Sequence, residues 1–254
     1  GPAVVLDSLP LRYRPGTARH YSDLGFMHLG RIVASAFGGT LGEAVRTLAL
    51  DPAGLHATGF GPIDPTGTPV AASAWGDRTE QRMVATGEPY PVLWPPRAFR
   101  WRENLLTGQV DDGNCAHAWA GTAGHAGLFG TVDDLLDAAL AVARRLAEGD
   151  PHGLLDPGPD TEQSLGWRVR TVATGRGPGR LLWHPGFTGC AVGVLPHGAG
   201  AVALATNRLL ADGAPITTER LWWHTVRLLC PDLDLDPGSA STPPPPARHQ
   251  DVTP

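Results

Sequence analysis

The chain has 254 residues, a formal net charge of −5 and a sequence pI near 6.0; it is long enough for one large domain or two small ones, and too acidic for a typical nucleic-acid surface. All 20 of its basic residues are arginine, so these residues cannot form a phosphate-loop lysine, a Schiff base or a Ser-x-x-Lys dyad. The 33 glycines and 25 prolines point to a loop-rich domain or an unstructured end.

Residues 7–20 read as a polar loop with a Pro15-Gly16 turn. From Ser22 the pattern becomes helical: Leu24, Met27, Leu29, Ile32, Val33 and Phe37 recur near 3.6-residue spacing. Ser22 or Asp23 can cap that helix and Gly38-Gly39 can end it. A second helix is predicted over 41–50, stopping before Asp51-Pro52. Residues 59–115 show little periodicity and predict a long irregular excursion with one short helix over 101–106. A loop of that length commonly covers or carries a site.

Residues 121–130 predict a tight glycine-rich turn. Thr131 and Asp133 then open a helix over 132–148, with Leu135, Leu136, Ala139, Leu140, Ala143 and Leu146 on its apolar face. Four short strands follow, over 165–169, 181–184, 190–195 and 201–206; Pro196-His197-Gly198 suits an antiparallel hairpin between the last two. A helix over 216–229 closes a domain of residues 1–231. From Asp232 the chain is rich in Asp, Ser and Pro, with four consecutive prolines, and residues 232–254 read as an unstructured tail. Three cysteines, Cys115, Cys190 and Cys230, are too few for a disulfide framework. No apolar run reaches the ~18 residues of a membrane span. The opening Gly-Pro-Ala-Val-Val-Leu lacks the basic stretch of a signal peptide, which leaves the compartment unassigned, with the cytoplasm as a weak default.

Three segments invite a chemical reading. Tyr21-Ser22-Asp23 stands at a helix mouth, where a tyrosine with an ordinary pKa near 10 is a base only beside cations. Gly121-Thr-Ala-Gly124-His125-Ala-Gly127-Leu128-Phe129-Gly130 lets the backbone approach a ligand closely, but without lysine or a preceding strand it is no nucleotide loop. His184-Pro185-Gly186-Phe187-Thr188-Gly189 ends a strand, where free N–H groups can meet an oxyanion. Taken singly, a core tyrosine, a tight loop holding a buried histidine and a plain turn are the better accounts of them.

In this order and on these elements, the segments resemble the serine β-lactamase-like hydrolases: class C β-lactamases, D-alanyl-D-alanine peptidases and related esterases. Pro15-Gly16 through Gly25 resembles the family's second motif, Tyr-x-Asn, with Asp23 in place of Asn. Asp112-Gly113-Asn114 and Gly124–Phe129 resemble its Asp-Gly-Asn…Gly-His-Ala-Gly-Leu-Phe stretch, and His184-Pro185-Gly186 its Lys/His-Thr/Ser-Gly motif. Two strands, Asn207-Arg208 and a last helix follow, so the resemblance spans residues 11–229. It implies an α+β fold of the β-lactamase/transpeptidase type, an antiparallel sheet flanked by helices. The family's Ser-x-x-Lys has no counterpart here, so the N-terminal strands and the nucleophile helix are expected to be missing, and Pro185 removes a hydroxyl and an N–H.

The resemblance further implies an acyl-enzyme mechanism on an ester, amide or β-lactam, with the serine upstream of this chain. Tyr21 would relay protons, Phe187 would lend its N–H to the oxyanion, and His184 would hold charge nearby. Asp23, Asn114, His125, Gly186, Asn207 and Arg208 would line the substrate, the last two meeting a carboxylate. No cofactor or metal is implied. The expected partners are a small-molecule ester, peptide or β-lactam and, for a chain without its nucleophile, a separate N-terminal segment or further copies; no nucleic acid and no membrane span are expected. The alternative is a non-catalytic or partner-dependent binding remnant of the fold. Two readings of lesser weight are a Cys/His hydrolase using Cys115 with His117 or His125, and a metal site of Asp111, Asp112, His117 and His125.

Overall fold

The computed structural model describes residues 1–11, 13–17, 20–88, 99–149, 153–155, 161–211 and 215–235. Alternating burial along the strands of the last third builds the centre of the molecule. Strands β5 (Arg168–Thr174), β6 (Gly177–Pro185), β7 (Ala191–Val194) and β8 (Ala201–Leu204) form one antiparallel sheet in that order. In β6 the consecutive residues Leu181, Leu182 and Trp183 are all buried, because the sheet is covered on both faces. Leu181 and Trp183 join Val172, Val202, Trp222, Trp223 and Val226 beneath helix α8 (Thr218–Leu229). Leu182 joins Val169, Val194 and Ala139 beneath helix α7 (Val132–Ala147). The result is a helix–sheet–helix stack, as expected for an α+β domain.

Local chemistry sets the helix ends. Ser22 accepts the Gly25 N–H at the start of α2 (Asp23–Phe37), and Gly38 ends that helix at φ 79°, a left-handed conformation that glycine takes without Cβ strain. Thr131 accepts the Asp134 N–H to start α7, with Asp133 and Asp134 in the first turn and Arg144 and Arg145 in the last, all favourable to the helix dipole. The helix predicted over 41–50 begins as α3 (Leu41–Val45) under a Thr40–Glu43 capping box. It does not stop before Pro52: a wide π turn, Arg46–Leu50, leads into α4 (Asp51–Ala53), where Pro52 occupies a first-turn position that needs no N–H.

The described residues of 59–115 are more ordered than their composition suggested. Within them lie β1 (Gly59–Phe60), β2 (Ala72–Trp75), α5 (Arg78–Thr86), β3 (Leu105–Thr107) and the start of α6 (Gly113–Trp119). The helix predicted over 101–106 does not form. The Gly76 and Asp77 N–H groups donate to the Asn104 and Arg102 carbonyls, which ties this segment into a β2–β3 hairpin. Strand β1 pairs with β4 (Leu128–Phe129). A helix over Pro2–Ser8, α1, precedes the loop and was not predicted. After α8, Asp234 exchanges both backbone hydrogen bonds with Ala173, and Leu235 is buried against the sheet. The first residues assigned to the tail are therefore docked, while 236–254 lie outside the described residues. No helix among the described residues is long and apolar enough to cross a membrane.

Candidate active site

Two segments far apart in sequence meet at the mouth of α2. Tyr21 stands immediately before the Ser22 cap, and its ring centroid lies 6.2 Å from that of His184 and 5.8 Å from that of Phe26. His184 is held at the end of β6 by its ladder position opposite Val192. Desolvation raises the Tyr21 pKa, the Asp23 carboxylate raises it further, and Arg168 opposes them without reversing the shift. Tyr21 is thus a protonated phenol at neutral pH, able to donate a proton before it can accept one. Burial and then the Arg168 charge lower the His184 pKa, which keeps the imidazole neutral. Arg168 lies opposite Trp183 in the ladder, with its guanidinium 5.1 Å over that ring and 3.5 Å from Glu219. As one of twenty arginines it carried no signal in the sequence.

Beyond Pro185 the backbone folds into a braced turn. The Gly186 N–H donates to the Cys190 carbonyl at 2.6 Å, and the hydroxyls of Thr218 and Thr206 donate to the Gly186 and Gly189 carbonyls at 2.9 and 3.0 Å. Gly189 takes φ 114°, which a side chain would strain. The Arg208 guanidinium donates to the carbonyls of Phe187 and Ile216 and lies over the Phe187 ring, so the residue expected on a substrate carboxylate clamps the turn instead. Phe187 itself is exposed, and among the described residues nothing accepts its N–H. Asn207 is exposed beside the clamp.

A second group gathers behind Tyr21. His125 Nε2 lies 3.0 Å from Asp112 Oδ1, and the same oxygen accepts the Cys115 N–H at 2.7 Å to cap α6. Burial pushes the Asp112 carboxyl up, but the His125 and Cys115 bonds outweigh it and leave the pKa below the usual value. Burial and the nearby Asp112 charge raise the Asp23 pKa, while His125 acts in the opposite direction. The side chain of His125 is only 3% exposed, too buried to line a substrate. Asn114 is exposed on the first turn of α6.

The sequence reading missed the layer beneath. Asp77 is fully buried and bound to Arg102 and His117, and Arg102 also holds the carbonyls of Val110 and Asp111 at 2.6 and 2.7 Å. Glu80 accepts the Gly113 N–H at 2.8 Å. Asp111 is pushed up to about 6 by burial and by the Glu80 charge. Cys115 is buried, donates to the Ala126 carbonyl and has its thiol pushed up to about 12 by desolvation and by Asp112; that rules it out as a nucleophile and removes the Cys/His reading. The histidines of the metal reading go to different carboxylates, His117 to Asp77 and His125 to Asp112, and no group of three ligands is assembled among the described residues. A cavity of 470 Å³ between α7 and the sheet, lined by Leu146, Leu155, Arg180, Val194 and His197 among others, holds none of the site residues.

An antiparallel sheet between helices is consistent with the β-lactamase and penicillin-binding-protein class of fold. The chain belongs to the Beta-lactamase family, which it matches over residues 4–226. It is 28% identical, over 225 residues, to proteins of Salmonella schwarzengrund and Salmonella enteritidis named "Putative D-alanyl-D-alanine carboxypeptidase", covering 80% of this chain and 48% of theirs. It therefore spans about half the length of these curated relatives. Its fold is similar to that of a penicillin-binding protein from Bacillus halodurans, with a TM-score of 0.56 and 18% identity over 87% of this chain and 59% of that one.

Proposed function

We propose that this chain is part of an acyl-transferring serine hydrolase acting on an ester, amide or β-lactam, with the nucleophilic serine supplied from outside these 254 residues. In this reading the serine oxygen attacks the carbonyl carbon, and the Phe187 N–H donates to the oxygen that becomes negative. Tyr21 relays the serine's proton to the leaving group as the scissile bond breaks, and water then releases the acyl group. Asp23, Asn114 and Asn207 line the approach, and Gly186 lets the strand end come close to the substrate. The name of the relatives makes a peptide ending in D-alanine the first substrate class to try. The observation that carries the reading is the opposition of the Tyr21 and His184 rings at 6.2 Å, with the exposed Phe187, whose N–H has no acceptor among the described residues, three positions after His184.

The alternative is a non-catalytic binding remnant of the fold. Incubation with a fluorophosphonate ester, followed by mass spectrometry, separates the two. The 254-residue chain is expected to stay unlabelled, and a chain extended upstream to a Ser-x-x-Lys to take one adduct on that serine. An extended chain that stays unlabelled would leave the binding remnant as the better account. An adduct on any serine of the 254 residues would refute the placement of the nucleophile.

A further inference from the structure

We propose that His125 is a positioning residue: bonded to Asp112 and carried on a loop that packs against α2, it holds the first turn of α2, and with it Tyr21, in register with His184. The proposal rests on the hydrolase reading of the site, but its geometry does not depend on the substrate.

His125 belongs to neither of the elements whose ends form the mouth, but it is bonded to the residue that caps α6. Its Nε2 lies 3.0 Å from Asp112 Oδ1, the oxygen that caps α6. Its Nδ1 is buried with no partner among the described residues, on a side chain only 3% exposed.

The loop carrying His125 lies directly on the α2 backbone. A Cβ added at Gly124 would stand 2.0 Å from the Phe26 carbonyl oxygen, and one added at Gly30 would stand 2.9 Å from the Gly124 nitrogen. Only glycines permit that approach, which brings His125 to the mouth of the helix. On its other side, Asp112 follows Asp111, whose carbonyl is held by Arg102, itself locked on the buried Asp77. A chain of contacts thus runs from Asp77 through Arg102 to the Asp111 carbonyl, and from the adjoining Asp112 to His125, whose neighbour Gly124 lies against Phe26 of α2. Burial keeps His125 off the substrate, so it acts through Tyr21.

Fluorine NMR of the full chain labelled with 3-fluorotyrosine tests this, with the Tyr21 resonance assigned by Tyr21→Phe. In the parent, His184→Ala is expected to shift the Tyr21 resonance by removing the neighbouring ring. In a His125→Ala background that shift should disappear, and in His125→Gln, whose amide can still donate to Asp112, it should return. Thermal melts establish that each variant folds, and if His125→Ala does not fold, His125→Phe, which fills the site but cannot bond Asp112, replaces it with the same expectation. Persistence of the His184→Ala shift in the alanine background, or a glutamine variant that folds yet behaves like alanine, would overturn the proposal. The readout needs no catalysis, so a failed fluorophosphonate labelling refutes the hydrolase reading and leaves this result standing.

Discussion

Arg102 closes on Asp77 through two bonds of equal length: its Nε donates to Oδ1 and its backbone N–H to Oδ2, each at 2.7 Å. Burial pushes the Asp77 carboxyl up, but the bonds from Arg102 and His117 outweigh it and leave the pKa below the usual value. The remaining guanidinium nitrogens carry the Val110 and Asp111 carbonyls, so one ion pair joins the β2–β3 hairpin to the segment that caps α6.

Breaking this pair strands a charge. Arg102→Met should lower stability by about 3–5 kcal/mol, because Asp77 stays buried without its main partner. Arg102→Lys should recover little of that, since an ammonium cannot reproduce the planar fork. Urea denaturation measures both; a loss below about 1 kcal/mol for Met would refute the role assigned to the clamp.

Asp111 makes the opposite contribution. Its pKa, raised to about 6, means that the folded chain keeps a proton which the unfolded chain releases nearer 3.8. Its contribution to stability is complete below the unfolded value and is lost as pH rises to the folded one. Asp111→Asn should therefore be more stable than the parent by about 2–3 kcal/mol at pH 8, and nearly equal to it below pH 4. The depressed pKa values of Asp77 and Asp112 act with the reverse sign: their contribution is present above the unfolded carboxylate value and is lost as pH falls through the folded values. Thermal unfolding at the two pH values checks Asp111, and equal stability at pH 8 would remove it from the account.

Tyr21→Phe, in a chain extended upstream to its serine, should cut ester turnover about 10²-fold or more, as loss of a proton-transfer group predicts. Equal rates would take Tyr21 out of the mechanism. Pro185→Thr should lower the KM for carboxylate-bearing substrates if the missing hydroxyl limits recognition. An unchanged KM would point to a plain ester as substrate.

The last prediction concerns association. Leu29, Ile32 and Val33 of α2 are 53%, 61% and 37% exposed, and β8 is the edge strand of the sheet among the described residues. Ala201-Val202-Ala203-Leu204 carries no charge to discourage strand addition. Together they predict that the isolated 254-residue chain elutes in size-exclusion chromatography as an oligomer. A 26.7 kDa monomer with a sharp, cooperative melt would contradict this.

Much of the fold was legible because its determinants are local. Ser22 and Gly38 bound α2, Thr131 opens α7, and the four apolar strands with their turns fall in the expected order, since caps, periodicity and turn residues act within a few positions of the chain. The order of Tyr21, His125 and His184 was likewise enough to suggest the family. What lay outside the sequence was the choice of partner. Residues 101–106 carry apolar spacing that suits a helix, and only the contact with Gly76 and Asp77 makes them part of a hairpin. Arg208 looked free to bind a carboxylate until the fold brought the Phe187 and Ile216 carbonyls to it, and His125 looked like a substrate contact until Asp112 and the glycine loop buried it. Local sequence determines where a helix begins, whereas a polar side chain acts on whatever the tertiary structure places about 3 Å away, and that neighbour usually comes from a distant part of the chain.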